Sequence, residues 1–198
     1  EDGIRYSSTS RGLGDVYKRQ GCGHEAEFID YRPAYLTTGG RFHWPKSLWH
    51  LKANVVIAYQ KVMALKGRLD ADMRKQHDRF DQFTNNYLNL SRSRYNTLND
   101  LRENPPDYDV YICGSDQIWN PSEQYGLDPA CFLNFGPKMV KKISYAASFG
   151  RTVIPERHHR EVALYSEALD SISVREASGS SMLKRLLDRE SHLSLIHI

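Results

Sequence analysis

The chain has few cysteines, no long apolar run and little net charge. Its three cysteines, Cys22, Cys113 and Cys131, form an odd set without CxxC spacing. That argues against a disulfide framework and a zinc site, and it fits a reducing compartment. No apolar run reaches the roughly 18 residues that a transmembrane helix needs. The start carries no apolar stretch before a small-residue cleavage site, so no signal peptide is read there. Net charge is +3, with Lys and Arg scattered, which gives no footprint for a nucleic-acid partner. HExxH, GxSxG, a P-loop and GxGxxG are all missing, which removes the common metalloprotease, hydrolase, NTPase and dinucleotide readings. No His, Cys, Asp or Glu residues cluster at metal-ligand spacing, so neither a metal nor a cofactor is expected.

What is present is an ordinary globular composition. The 198 residues are 40% hydrophobic, 26% charged and 11% aromatic. This suits one domain or one and a half, and it is too apolar for a disordered chain.

The two ends stand apart. Asp15-Val16-Tyr17-Lys18-Arg19-Gln20 can be back-translated as GAT GTG TAT AAG AGA CAG. Leu193-Ser194-Leu195-Ile196-His197-Ile198 can be back-translated as CTG TCT CTT ATA CAC ATC, the reverse complement of the first string. The string resembles the transposon end used to build sequencing libraries, and Ser10-Arg11-Gly12-Leu13-Gly14 fits the primer before it. Residues 1–20 and 193–198 are therefore expected to be non-native and are set aside from fold reasoning. Residues 21–192 are then expected to be a piece of a longer protein.

Within residues 21–192 the pattern changes once. Residues 24–31 read as a short strand, after Gly21 and Gly23 as a helix stop. Ser47 opens a predicted helix to Lys66, ended by Gly67. Leu48, Leu51, Val55, Tyr59, Val62 and Met63 form its apolar face. A more polar helix is predicted over 71–87, with Met73, Phe80, Phe83 and Tyr87 on one side. A third helix is predicted over 95–102, stopped before Pro105-Pro106. Residues 91–95, rich in Arg and Tyr, offer either a contact for an acidic partner or, the plainer reading, a solvated helix boundary.

After that, short apolar runs alternate with helical stretches. Residues 108–113, 142–148 and 171–174 read as buried strands. Helices are predicted over 155–169 and from Ser178 through Leu187. Such alternation indicates βαβ units and a parallel sheet, hence an α/β fold. Ligands in such sheets sit at the carboxyl ends of strands. That rule points to residues 114–121, 148–151 and 175–180.

Gly114-Ser115-Asp116-Gln117-Ile118-Trp119-Asn120-Pro121 is the richest segment. A glycine at a strand end lets backbone approach a ligand. Ser115, Asp116, Gln117 and Asn120 offer hydrogen-bonding groups that suit sugar hydroxyls, and a carboxylate can accept a proton from an attacking hydroxyl. The plainer reading is an Asx-type turn, with Asp116 holding a backbone amide. Arg175 is a fork for carboxylate or phosphate, unless Glu176 merely neutralises it in a surface pair. Ser178-Gly179-Ser180 opens a helix whose N-terminus favours an anion. Ser148 and Gly150 either line the cleft or serve close packing. His158-His159 reads as a solvated helix start.

These segments resemble a known family. EFIDYRP, YDVYICGSDQIWNP, FLNF, KKISYAASFG and ISVREASG occur in the order, and with the approximate spacing, of polysaccharide pyruvyl transferases. The resemblance runs from about Gly21 to Leu187. It implies a Rossmann-like parallel sheet with flanking helices, one half of a GT-B-like two-domain enzyme. The family's opening strand is missing from residues 21–192, as is the C-terminal domain. It further implies transfer of a pyruvyl group from phosphoenolpyruvate to a sugar or lipid-linked oligosaccharide, forming a ketal of a bacterial cell-surface polysaccharide. Arg175 then lies where an arginine contacts the donor. Asp116 is the candidate base, and Ser115, Gln117, Asn120 and Ser148 are candidate substrate ligands. A cytoplasmic site is expected, because phosphoenolpyruvate is made there; a homo-oligomer is left open. The rival readings are a nucleotide-sugar glycosyltransferase of similar architecture and a non-catalytic family member. Residues 21–192 alone are expected to be inactive, since a cleft between two domains needs both walls.

Overall fold

The structure is a computed structural model that describes residues 5–8, 23–35, 42, 44–46, 48–69, 71–121 and 126–194. Seven strands are described: β1 (Arg5–Ser8), β2 (Glu25–Tyr31), β3 (Leu90–Tyr95), β4 (Val110–Gly114), β5 (Lys141–Tyr145), β6 (Ser173–Val174) and β7 (His192–Leu193). Five α-helices accompany them: α1 (Leu48–Leu69), α2 (Ala71–Tyr87), α3 (Leu98–Glu103), α4 (His159–Ser166) and α5 (Ala177–Leu187).

The main sheet has the order β3-β2-β1-β4-β5, and every neighbouring pair is parallel. Parallel bridges from Ile143 to Ser171 and from Ala147 to Val174 carry the order on to β6. β6 then pairs in parallel with β7. The α/β class expected from the alternation is therefore present. The order 3-2-1-4-5-6 reverses between β1 and β4, which is where doubly wound sheets bind ligands.

The sequence reading sets residues 1–20 aside, yet Arg5–Ser8 fills the slot between β2 and β4. Without a strand there, both neighbours would leave a row of backbone donors and acceptors unpaired.

β4 is buried at every residue. Its aromatic and branched side chains fit the centre of a two-faced sheet. Around it lies one core that includes Tyr111, Trp119, Phe132, Phe149, Leu101 and Leu183. Trp119 stacks on Phe132 with ring centroids 4.8 Å apart. It also lies 5.2 Å from the Phe149 ring, and its indole N–H donates to the Cys131 carbonyl at 3.0 Å. Cys113 and Cys131 are free thiols.

Four expectations are corrected. Residues 90–95 form edge strand β3 rather than a helix boundary. Its exposed Arg92, Ser93 and Arg94 gave it a solvated look, and polar side chains are how edge strands avoid mispairing. The third helix starts later, at Leu98. Thr97 and Asp100 form a capping box there, which fixes the first turn more strongly than the Tyr95 pattern. α1 runs through Gly67 to Leu69. Finally, its large apolar stripe faces outward: Leu48, Leu51, Val55, Tyr59, Val62 and Met63 are all exposed, while Ala53 and Ile57 on the opposite side are buried. The slimmer side of the helix is the buried one, and α1 packs on α2. On α2, Phe83 and Tyr87 stack at 5.1 Å but stay exposed; the side chains of Met73 and Phe80 lie outside the described residues.

Candidate active site at the carboxyl rim

Three turns follow three adjacent strands: residues 115–121 after β4, 146–151 after β5 and 175–176 after β6. Because the strands are parallel neighbours, all three turns emerge on one rim. Hydrogen bonds tie them together. The Ser148 amide donates to the Asp116 carbonyl at 3.0 Å, the Trp119 amide to the Ser148 carbonyl at 3.1 Å, and the Arg175 amide to the Ala147 carbonyl at 3.0 Å. Asp116 and Arg175 thus belong to the same edge of the sheet.

The turns are tight. A Cβ on Gly114 would sit 2.0 Å from the Tyr145 carbonyl oxygen, so the first turn requires glycine. Ser115 (φ 61°) and Ala146 (φ 48°), at the ends of neighbouring strands, are both left-handed without being glycine. Each such residue costs about 1–3 kcal/mol, and strain of this kind gathers at functional sites. Hydrogen bonds hold it: Ser115 N–H to the Tyr145 carbonyl at 2.8 Å and Ala146 N–H to Ser173 Oγ at 3.2 Å.

Asp116 Oδ1 accepts from the adjacent Gln117 amide at 2.8 Å, one residue short of the contact that defines an Asx turn. Asp116 Oδ2 has no hydrogen-bond partner among the described residues. Gln117 and Asn120 bind each other, Asn120 Nδ2 donating to Gln117 Oε1 at 3.1 Å. Asn120 Oδ1 in turn accepts from Arg151 Nε at 2.7 Å. Arg151 also reaches the Pro121 carbonyl at 3.3 Å. The structure therefore adds a second cation, Arg151, to this rim. The segment 148–151 pointed at the place, but no motif singled out the arginine.

Ser148 is completely buried. Its hydroxyl donates to Glu176 Oε1 and accepts from the Gly150 amide at 2.9 Å. Glu176 Oε1 lies 3.8 Å from an Arg175 nitrogen, a long contact beside the bidentate geometry that strong pairs adopt. The other oxygen, Oε2, is buried with no hydrogen-bond partner among the described residues. Arg175 has no further partner among the described residues and its side chain is about a third exposed. The surface pair read from sequence is thus incomplete. Glu176 is drawn to Ser148, and most of the arginine fork is left over.

A second polar cluster lies at the end of β2. Tyr31 donates to Asp128 Oδ2 at 3.0 Å, and Tyr35 donates to the same oxygen. Asp128 Oδ1 accepts from the Ala130 amide at 2.8 Å, opening a 3₁₀ turn, Pro129–Phe132. Burial, then the Asp128 charge, pushes both phenols well above their ordinary range. His158 corrects another expectation. It is buried, with Nδ1 2.7 Å from Glu161 Oε2, so it is a packed residue rather than a solvated one.

A cavity of about 550 Å³ opens elsewhere, lined by residues including Arg102, Lys138, Lys142, Glu167 and Asp170. Lys142 lies near the start of β5, so this cavity is on the opposite rim from Asp116 and Arg175.

The fold and the rim together define an α/β domain with a polar, partly cationic rim beside the switch point of a parallel sheet. Among the described residues no helix is long and apolar enough to cross a membrane. A family model for polysaccharide pyruvyl transferase matches residues 20–195. The chain belongs to the polysaccharide pyruvyl transferase family. No curated protein and no solved structure matches it. β1 lies outside the matched residues; all the rim residues lie within them.

Proposed function

We propose that the chain is part of an enzyme that moves a pyruvyl group from phosphoenolpyruvate to two hydroxyls of a sugar in a cell-surface polysaccharide. The donor carries a carboxylate and a phosphate, so it needs a cationic fork. Arg175 supplies one, held by its backbone bond to Ala147 and lightly engaged by Glu176. Protonation of the enol carbon would create an oxocarbenium-like centre. Sugar hydroxyls add to that centre, a base takes their protons and phosphate departs, closing the ketal. Asp116 is the proposed base or sugar ligand, with Oδ1 anchored and Oδ2 unpaired. Ser115, Gln117 and Asn120 are proposed sugar contacts. Ser148, wholly buried, acts by fixing Glu176 and the Asp116 carbonyl.

The observation that carries this reading is the shared rim: hydrogen bonds through residues 147 and 148 join the Asp116 turn to the Arg175 turn. In the proposed enzyme a second, GT-B-like domain forms the other wall of the cleft. Residues 1–20 and 193–198 are proposed to be non-native. Reading the source DNA across both junctions tests that, and native codons running through them would reject it.

The functional test is made on a complete enzyme carrying this domain. Arg175→Ala should raise the KM for phosphoenolpyruvate by roughly tenfold or more, the weight of a charged hydrogen-bonded contact. An unchanged KM rejects the donor assignment. Thermal stabilisation by a sugar nucleotide, with no response to phosphoenolpyruvate, would instead identify a glycosyltransferase.

A further inference from the structure

We propose that α1 and the residues just before it seat the protein on an anionic bilayer surface. Leu48, Leu51, Val55, Tyr59 and Val62 recur at the spacing of one helical face, and each is between 54% and 81% exposed. Such a stripe ordinarily packs inward. Here Ala53 and Ile57 take that place, and the broad apolar side is turned to solvent. Trp44, four residues ahead of the helix, is 79% exposed. An aromatic anchor of this type favours the headgroup region.

Charge decides the occupant. No acidic residue occurs between Asp30 and Asp70. Lys46, Lys52, Lys61 and Lys66 are exposed across the same stretch. Counted around the helix, Lys52 and Lys66 fall within the sector of the apolar stripe, and Lys61 falls beyond its other edge. Apolar side chains interspersed with lysines, with no carboxylate, are complementary to a negatively charged lipid surface. A second copy fits poorly: a two-fold interface sets the same face against itself, so lysines would meet lysines without an acidic partner. The adjoining α2 carries both signs, with Asp78, Arg79 and Asp81, so of these two helices only α1 presents a one-signed surface. The 22-residue helix is about 33 Å long. It does not meet the requirements of a membrane-spanning segment, so it lies on the bilayer rather than in it.

The test is vesicle co-sedimentation of the whole chain. One set of vesicles is phosphatidylcholine; the other contains about a third phosphatidylglycerol. Partitioning should be at least tenfold stronger onto the anionic set and should fall as salt rises. Lys52→Glu with Lys66→Glu should weaken it by roughly tenfold or more. Leu51→Ser with Val55→Ser, exposed positions that the core does not use, should weaken it while the far-UV circular dichroism stays unchanged. Absence of binding to the anionic vesicles overturns the proposal. So does equal binding to both sets that ignores the lysine reversals. A concentration-dependent dimer dissolved by the Leu51/Val55 pair would also overturn it, by giving the face to a second copy.

Discussion

Two glycines on the rim carry different loads. At Gly114 an added Cβ would meet backbone, the Tyr145 carbonyl 2.0 Å away. Backbone in a central strand pair cannot retreat, so Gly114→Ala should cost about 3 kcal/mol, read as a lower denaturation midpoint. At Gly150 the obstacle is the side-chain amides of Gln117 and Asn120, at 2.5 and 2.9 Å. Those can swing away, leaving mainly the strain of its positive φ, about 1–2 kcal/mol. Gly150→Ala should therefore spare the fold more than Gly114→Ala, yet break the Gln117–Asn120–Arg151 chain. Measured sugar or donor affinity should fall further than stability does. Trp119→Ala empties the centre of the core and should cost about 3–5 kcal/mol in chemical denaturation. At this scale the sequence was partly legible. Gly114, Asp116 and Arg175 sit in motifs and at predicted strand ends. The Ser148–Glu176 bond and the Arg151–Asn120 bond join turns from separate strands, and no spacing along the chain encodes them.

At the level of elements, α3 depends on its cap. Thr97 Oγ1 accepts from the Asp100 amide at 3.1 Å, and Asp100 Oδ2 accepts from the Thr97 amide at 3.0 Å. Thr97→Ala should cost about 1 kcal/mol, visible as a thermal shift with the sheet intact. The buried strands and most helices could be read from hydrophobic runs and punctuation, because β4 is buried at every residue and most runs around it end at glycine or proline. β3 escaped because an edge strand needs only a few inward residues, here Ser91 and Tyr95. α1 shows the opposite difficulty. Periodicity identifies an amphipathic helix but does not say what covers its apolar side.

For the whole molecule, the buried and half-buried thiols and phenols set the alkaline limit. Burial raises Cys113 and Cys131 above their ordinary 9.0, and Tyr31, Tyr35 and Tyr108 above 10.0. The folded chain then keeps protons that the unfolded chain gives up. Their contribution is complete below about pH 9 and is lost as pH climbs beyond it. Lys142 acts in the other sense: burial lowers its amine, so its cost to folding fades as pH nears 10.5. Five groups outweigh one, and urea midpoints should fall between pH 9 and 11. A flat or rising midpoint would contradict the packing described for these side chains. The strand order is the other property of the whole, since it places the switch point beside the Asp116 turn.

An amide NMR titration of this chain with phosphoenolpyruvate tests the shared rim. Shifts should be confined to residues 114–120, 146–151 and 175–178, and should be lost in Arg175→Ala. Shifts gathered instead around Lys142 and Arg102 on the opposite rim would contradict it, as would no shift at millimolar ligand.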